Sequence, residues 1–439
     1  MASIVVVGAG LAGLTCAWRL QHAGHDVEVF ECNDVPGGSL RSEEIDGFRL
    51  ERGAGALGPI DSNTRVLIRA LGLSDLLYPI QPADEGVLRR GRFEVLETAS
   101  MREFARSRLL SARGKLQLGR LGVELASRRA RFDIHHPEFA ASLEGGDASF
   151  DLRASAGDEA RDFVLAPLLE PWLGAALEDT SDAFGRVLLH GLLVGDHSPE
   201  SLSGGMGVLT DTLAADLSIR CGARVHSIET EEGGARVHYH VGPHRRRVFA
   251  DAAVVAVPGD DVPALCPKLG PEERGFFEAI RSPRSLVVHA LLDEVPRAQP
   301  YYRVHLPRPL GFSIRTIGIE HSLRSAAPPG AGLLRLELQG PAAEALWDEE
   351  DRCLGDALLD EIERTPIGLV RARRFVVQRN ERGAPQIPPG ALLRLRGFAD
   401  RRNRSPRLAF AGSHLVGPYT EGALTSGLRA AADVVRDLD

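Results

Sequence analysis

Glycines grouped around apolar runs, with a few polar side chains beside them, are the residues of this chain placed to do chemistry. Ile4-Val5-Val6-Val7 runs into Gly8-Ala9-Gly10-Leu11-Ala12-Gly13, and Glu31 closes the apolar run Val27-Glu28-Val29-Phe30. A strand, a glycine turn, a helix, a second strand and a terminal acid together make the fingerprint of a dinucleotide site. Gly8 permits the sharp turn, Gly10 lets the backbone approach a pyrophosphate, and Gly13 lets the helix lie close on the strand. The helix opening near Leu11 turns its N–H groups and positive dipole end to the phosphates. Glu31 accepts hydrogen bonds from the ribose hydroxyls.

That turn alone does not choose between NAD and FAD. The choice comes from two further blocks. Gly37-Gly38-Ser39-Leu40-Arg41-Ser42 follows Glu31, and then Leu50-Glu51-Arg52-Gly53-Ala54-Gly55-Ala56-Leu57-Gly58. Paired glycines admit a ligand close to the backbone, and Arg41 stays charged beside a phosphate or a flavin. At the far end, Ala411-Gly412-Ser413 precedes Tyr419-Thr420-Glu421-Gly422-Ala423, which opens the last helix. A helix N-terminus there suits the pyrimidine edge of a flavin, which gains negative charge on reduction.

The elements that must hold these residues alternate between strand and helix. Residues 3–31 read as strand, helix, strand; Asp61 to Leu73 and Met206 to Leu217 as helices; 224–228, 237–241 and 252–257 as strands. From Phe93 to Gly191 the reading is mostly helical. Leu286 to Leu338 is rich in strands; a helix from Ala342 to Glu363 and a strand at Arg374–Val377 follow, then a strand at Leu408–Ala411 and a helix from Gly422 to Leu438. The expected fold class is α/β, a Rossmann-type dinucleotide domain interleaved with an α+β substrate domain. The first would comprise 1–80, 204–270 and 400–439, and the second 81–203 and 271–399.

With 439 residues, 44% hydrophobic and 26% charged, the chain is long enough for two folded domains. A net charge of −8 and the lack of a nucleic-acid motif argue against a nucleic-acid partner. Five scattered cysteines with no C-x-x-C pair point to reduced thiols in the cytoplasm, and no metal site is expected from them or from His135-His136 and His238-Tyr239-His240. The first strand starts at about Ser3, which leaves no secretory leader, and no apolar run approaches the ~18 residues that span a bilayer. The two lysines, Lys115 and Lys268, leave little room for lysine chemistry.

The three blocks, roughly 3–77, 204–229 and 407–432, resemble the FAD-dependent amine oxidase superfamily, which includes protoporphyrinogen oxidases, phytoene-type desaturases and monoamine oxidases. The local likeness is best to protoporphyrinogen oxidases, through Gly37-Gly38, Arg41-Ser42, Leu50-Glu51-Arg52-Gly53, Leu71-Gly72-Leu73 and Gly204-Gly205-Met206-Gly207-Val208-Leu209. The resemblance implies FAD contacts at Gly8, Gly10, Ala12, Glu31, Gly38, Ser39, Arg41, Gly55, Ala56, Gly412, Ser413, Gly422 and Ala423. Leu11, Leu57 and Glu421 are counted with them, and Val225 matches a valine that meets the adenine through its backbone. Ser39 stands where the family usually has an arginine, and Ser413 where it often has an acid.

The resemblance implies dehydrogenation of a hydrophobic substrate by transfer of hydride or hydrogen equivalents to flavin, with O2 or a quinone as electron acceptor and a protoporphyrinogen-type tetrapyrrole as first choice. A desaturase, dehydrogenase or isomerase of a polyene, lipid or natural product is the alternative. An amine oxidase ranks lower, since neither lysine lies in a matching stretch and Gln378-Arg379-Asn380 lacks an aromatic. A binding protein like the Rab GDP dissociation inhibitors is the non-enzymatic alternative. Two residues are candidates for a catalytic role. Tyr419 matches one wall of an aromatic cage at the flavin, or is simply packed on its loop; His414 faces the same pocket, or is a loop histidine. The stretch 102–131 carries nine Lys or Arg against two Glu, with leucines between. It reads as a peripheral contact with an anionic membrane, as a guide for a substrate carboxylate, or as a solvated helix face.

Overall fold

The structure, a computed structural model, describes residues 1–96, 107–195, 198–297, 300–400 and 405–438. Runs of Val, Ile and Ala covered on both faces make parallel strands. Ser3–Val7 sits at the centre of a five-stranded parallel sheet, between Ala252–Val255 and Asp26–Phe30. Leu408–Phe410 forms one edge and Ser218–Arg220 the other. Both ends of the chain therefore share one sheet. Gly8 N–H donates to the Phe30 carbonyl (2.8 Å), Ala256 N–H to Val7 (2.8 Å) and Ala411 N–H to Val255 (2.9 Å), so three connections leave at one carboxyl edge. Ligands of open parallel sheets bind at that edge. This is the Rossmann-type α/β arrangement expected from the sequence.

Two glycines set how closely the layers approach. A Cβ on Gly13 would lie 2.0 Å from the Gly8 carbonyl oxygen, so the helix Leu11–His22 lies directly on the turn that precedes it. A Cβ on Gly427 would lie 2.3 Å from the Ala12 carbonyl oxygen, so the last helix, Thr420–Leu438, rests backbone to backbone on the first.

The helical region packs Ala112–Ser127, Ala148–Ala160, Ala166–Leu173 and Asp182–Val194 around Leu121, Leu152, Leu165 and Phe184. Part of the basic stretch, 102–106, lies outside the described residues. Of its apolar side chains, Leu109, Leu110, Leu121 and Leu125 are buried in that core, while Leu116 and Val123 are exposed. No helix among the described residues is long and apolar enough to cross a membrane.

A second sheet has seven strands in the order Ala372–Asn380, Ser285–Leu292, Gly332–Gln339, Thr316–Ile319, Arg303–His305, Glu85–Arg89, Arg92–Val95. One face is apolar: Leu286, Val288, Leu334, Leu336, Ile317 and Val304 pack under Leu354, Leu358 and Ile362 of the helix Asp351–Glu363. Two expectations are corrected here. Phe93 does not open a helical region; it belongs to a hairpin whose turn, Arg90-Gly91, has φ of +50° and +76°, the left-handed pair that a two-residue β-turn demands. The helix expected over 342–363 is two helices, Pro341–Ala345 and Asp351–Glu363. Arg379 takes the carbonyls of Trp347 (2.9 Å) and Glu349 (2.5 Å), the acceptors a continuous helix would have used for its own amides.

In an ordinary helix, Gly→Ala stabilises by about 1 kcal/mol. At Gly427 the sign reverses, because the added methyl meets backbone. Gly427→Ala should lose about 2 kcal/mol, as overpacking does, and lower the thermal midpoint followed by circular dichroism. A raised midpoint would refute the close approach of the two helices.

Candidate active site

Glu31 leaves the second strand at its carboxyl end and is 5% exposed. Its Oε1 accepts from the Asn33 N–H (2.9 Å) and the Asn33 side-chain amide (2.7 Å). Its Oε2 accepts from the Ala9 N–H (2.8 Å), and among the described residues from no other donor, so a lone pair is left for a ribose hydroxyl. Next to it, the first helix begins at Gly10 with no side-chain cap and no acid in its first turn, which leaves its positive end open. Gly38 stacks directly against this turn, since a Cβ there would lie 3.0 Å from the Gly10 Cα. Ala223 N–H donates to the Glu31 carbonyl (2.8 Å), which brings the start of the strand Ala223–Glu231, with Val225 two residues on, to this end from a distant part of the sequence. A buried carboxylate with acceptor capacity, an uncapped helix end and a backbone cradle with no side chains fit the adenosine and pyrophosphate portions of FAD. Gly8, Gly10, Leu11, Ala12, Glu31, Gly38 and Val225 gather at this end. Ser39 follows directly, while Arg41 is paired with Glu43 at 2.8 Å, the same carboxylate that holds Arg52.

The far end of the chain supplies the other half. Gly412 follows the edge strand at the same carboxyl edge, and its N–H donates to Ser426 Oγ (2.9 Å) on the last helix. Ser413 opens the short turn Ser413–Leu415, and the next residue, His414, is buried against Phe277 at 5.8 Å. Burial pushes its pKa down to about 4, so it is neutral near pH 7, and its Nε2 has no partner among the described residues. Tyr419 is packed edge-on to Trp172 and stacked on Phe184, both at 6.5 Å, with its hydroxyl 3.5 Å from the Ile134 carbonyl. Burial, reinforced by Glu421, Asp61 and Asp133, holds its pKa well above 10. Tyr419 therefore stays protonated and joins the last loop to the helical region.

Glu421 has a use that its place in the glycine motif does not suggest. It has no exposed surface, and its Oε1 accepts from the Asn63 N–H (2.8 Å) and lies 2.7 Å from His135 Nε2. Its Oε2 accepts from the Thr64 N–H (2.9 Å) and hydroxyl (2.8 Å). The helix Ser62–Ala70 has no cap from its own N-cap residue, Asp61, and Glu421 supplies one from the other end of the chain. Any contact of Glu421 with a cofactor thus falls to its backbone, as for Gly422 and Ala423. Asp61 Oδ2 accepts from the Gly58 N–H (2.7 Å), and its Oδ1 has no partner among the described residues. Burial, with the charge of Glu421 nearby, pushes the Asp61 carboxyl from its ordinary 3.8 up to about 7.

Gly55, Ala56 and Leu57 run between these groups and the seven-stranded sheet. Leu57 exchanges backbone bonds with Glu200 (2.8 and 3.1 Å). Facing this segment is the second face of that sheet, which is polar although it lies inside the molecule. Cross-strand register puts His289, Arg335, Gly318, Arg303 and Glu85 in one row, and Gln378, Val287, Glu337, Thr316, His305 and Val87 in the next. Residues opposite each other share a face. Arg335 donates to the Gly53 carbonyl, and Gln378 to that of Arg52 (2.9 Å). Glu320 lies 3.6 Å from His289 Nδ1 and 3.8 Å from Arg335. Burial and then Glu320 push Glu51 to about 7, against the hydrogen bond from Ser42 (2.8 Å). Sequence reasoning missed this face. Its only signal is period-two alternation of charged and apolar residues, which ordinarily marks a solvated face.

A family model described as flavin containing amine oxidoreductase matches residues 11–435. The chain belongs to that family. A mitochondrial protoporphyrinogen oxidase of Nicotiana tabacum is 33% identical over 116 residues, 26% of this chain and 23% of that protein. This chain therefore aligns with about a quarter of that relative's length. A coproporphyrinogen III oxidase of Mycobacterium tuberculosis is 26% identical over 481 residues, covering 100% of this chain and 98% of that protein. Among solved structures, a putrescine oxidase bound to putrescine superposes with a TM-score of 0.81 over 99% of each chain at 20% identity, a likeness of fold. FAD is thus the cofactor, and the cradle at Gly8–Gly13 has the features that suit it. Among the described residues, no group of three His, Cys, Asp or Glu is placed to hold a metal.

Glu31→Ala should leave the Ala9 N–H without its acceptor and weaken FAD retention by roughly tenfold or more, read as flavin released on dilution of the holoprotein. Retention equal to wild type would remove Glu31 from the site. Asp61 sets a pH dependence. Between about pH 4 and pH 7 the folded protein keeps a proton that the unfolded chain has lost, so this group's contribution to stability falls as pH rises. Against Asp61→Asn, wild-type stability in urea should decline by about 1 kcal/mol per pH unit across that window. Parallel curves would mean that Asp61 titrates normally.

Proposed function

We propose that this protein oxidises a porphyrinogen, a hydrophobic tetrapyrrole, at FAD, with O2 or a quinone as terminal acceptor. Bound FAD would supply the redox chemistry, as acceptor for the hydride of a carbon–hydrogen bond whose loss is balanced by release of a pyrrole N–H proton to solvent, with O2 or a quinone taking the electron pair onward. The chain's own residues bind and orient. The observation that carries the reading is the end-to-end likeness to a coproporphyrinogen III oxidase, which includes the segments that build the seven-stranded sheet and the helical region. The site agrees in what it offers: Tyr419 stays protonated and His414 neutral, and neither is paired as the base of a nucleophile.

The domain assignment belongs to this reading. The five strands of the parallel sheet fall within 1–80, 204–270 and 400–439, which we assign to FAD, and the seven-stranded sheet falls within 81–203 and 271–399, which we assign to the substrate. An amine substrate is less favoured. Lys115 lies in the helix Ala112–Ser127 and Lys268 is paired with Glu229 at 2.9 Å. The helix Ala112–Ser127 spends Leu121 and Leu125 on the core and turns Arg113 and Arg120 to solvent along with Leu116 and Val123, which fits a solvated helix face.

The test is anaerobic bleaching of the flavin absorbance of the FAD-loaded protein by coproporphyrinogen III, protoporphyrinogen IX, phytoene and putrescine in turn. Bleaching within seconds by a porphyrinogen is expected. Bleaching by putrescine or phytoene alone would replace the proposal.

A further inference from the structure

His135 lies between the helices Ala112–Ser127 and Ala148–Ala160, and its backbone is held on both sides. Its N–H donates to Asp133 Oδ1 (2.9 Å), and its carbonyl accepts from Arg429 of the last helix (3.1 Å). The ring is thereby set between two carboxylates. Nε2 lies 2.7 Å from Glu421 Oε1, and Nδ1 lies 3.9 Å from Asp133 Oδ1. A neutral imidazole has one N–H to give, whereas an imidazolium has two. The arrangement suits the charged form. The hydrogen bond to Glu421 raises the pKa above the ordinary 6.5, against the cost of burial, and the charges of Glu421 and Asp133 add to it. The remaining donors to Glu421 are neutral: the Asn63 and Thr64 amides and the Thr64 and Ser62 hydroxyls. Among the described residues, no other cation lies within ion-pair distance of Glu421. Arg65, whose charge acts on Asp61, is paired with Glu200 (2.6 Å). Arg429 is paired with Glu138 (2.7 Å), which His136 also faces (3.3 Å).

The two partners differ in their access to water. The Glu421 side chain has no exposed surface, while that of His135 is 27% exposed. His135 can therefore give its proton to solvent, but Glu421 cannot recover hydration where it stands. Loss of that proton leaves a buried carboxylate facing neutral donors and the acids Asp61 and Asp133, a cost that movement of Glu421 toward water would relieve. Gly422 and Ala423 would move with it. Gly422 is seated on the Gly417 backbone, since a Cβ there would lie 2.1 Å from the Gly417 carbonyl oxygen, so the fit admits little displacement. We propose that His135, as an imidazolium, is a positioning residue for FAD: by balancing Glu421 it holds the helix start at Gly422 and Ala423 where the cofactor meets it. The inference rests on the assignment of Gly422 and Ala423 to the cofactor and is independent of the porphyrinogen reading. With the folded pKa above 6.5, the pair contributes fully below that pH, and its contribution is lost as pH rises through the folded value. FAD is accordingly held less firmly at alkaline pH.

The test follows flavin fluorescence released on dilution of the FAD-loaded protein, from about pH 6 to about pH 9, with the thermal midpoint measured alongside. Wild type should bind FAD roughly fivefold more weakly at the alkaline end. His135→Gln offers an amide N–H in place of Nε2 without the charge, so its release should be flat across pH, at the alkaline level of wild type. The pH dependence should persist in Asp61→Asn, which removes the titration of that acid. Release that still depends on pH in His135→Gln, or that ceases to in Asp61→Asn, would overturn the proposal. If only the thermal midpoint loses its pH dependence in His135→Gln, the pair ties the fold alone, and the assignment of Gly422 and Ala423 to the cofactor fails with the proposal. Should His135→Gln hold no flavin at any pH, NMR of ring-labelled histidine in wild type decides. The His135 ring should titrate at higher pH with FAD bound than without it, and equal titration in both would overturn the proposal.

Discussion

One carboxylate with no exposed surface holds the two ends of this chain in register. Glu421 sits at the start of the last helix, yet its oxygens take the amides of Asn63 and Thr64, the Thr64 hydroxyl and the ring of His135. Removing a carboxylate from water costs several kcal/mol unless donors replace the lost hydration, and here they come from distant segments. The consequence is geometric. The helix start that carries Gly422 and Ala423 is fixed against the loop ending in Ser62, and through His135 against the helical region. The cradle at Gly8–Gly13 needs this tie, because the parallel sheet places Gly412 at its carboxyl edge but does not by itself orient the loop and helix beyond it.

How much of this is legible in the sequence depends on whether the relevant contacts are local. The strand, glycine turn and helix over residues 3–31 are readable because each part is dictated by its neighbours: Gly13 must lie on Gly8, and Glu31 must end the next strand. The Rossmann class comes from them, and the choice of flavin from the glycine blocks at 37–58 and 411–423. Glu421 reads as part of a cofactor motif, and its capping of the helix Ser62–Ala70 is not visible, since no spacing rule joins positions 64 and 421. The break between Ala345 and Asp351 is hidden for the same reason: the arginine that captures its carbonyls, Arg379, comes from a strand of the other sheet. Tyr419 has two readings in sequence, and its rings of contact, Trp172 and Phe184, lie in a helical region whose packing the sequence does not specify.

The polar face of the seven-stranded sheet is the clearest case of function that strand patterns conceal. Each strand alternates, as a half-solvated strand should: Leu334, Leu336 and Leu338 inward, Arg335, Glu337 and Gln339 outward. Only the assembled molecule shows that the outward row faces the loop 52–57 and the helix Ala166–Leu173 rather than solvent. A buried face made of Arg, Glu and His is unfavourable as packing and costs stability unless every charge finds a partner. Glu85 shows that the partners can be sufficient. Burial raises its carboxyl, but Arg303, His305 and Tyr302 more than offset this and hold it at about 2. His289, with neither ring nitrogen hydrogen-bonded among the described residues, shows that they are not sufficient everywhere.

The way this face is attached to the cofactor loop separates the fold from the choice of substrate. Arg335 and Gln378 reach the carbonyls of Gly53 and Arg52, so the alignment of sheet and loop depends on backbone acceptors that any residue provides. Side chains elsewhere on the face can then change without moving the sheet. A chain can share this architecture with a putrescine oxidase at 20% identity because the alignment of sheet and loop does not depend on which side chains the face carries.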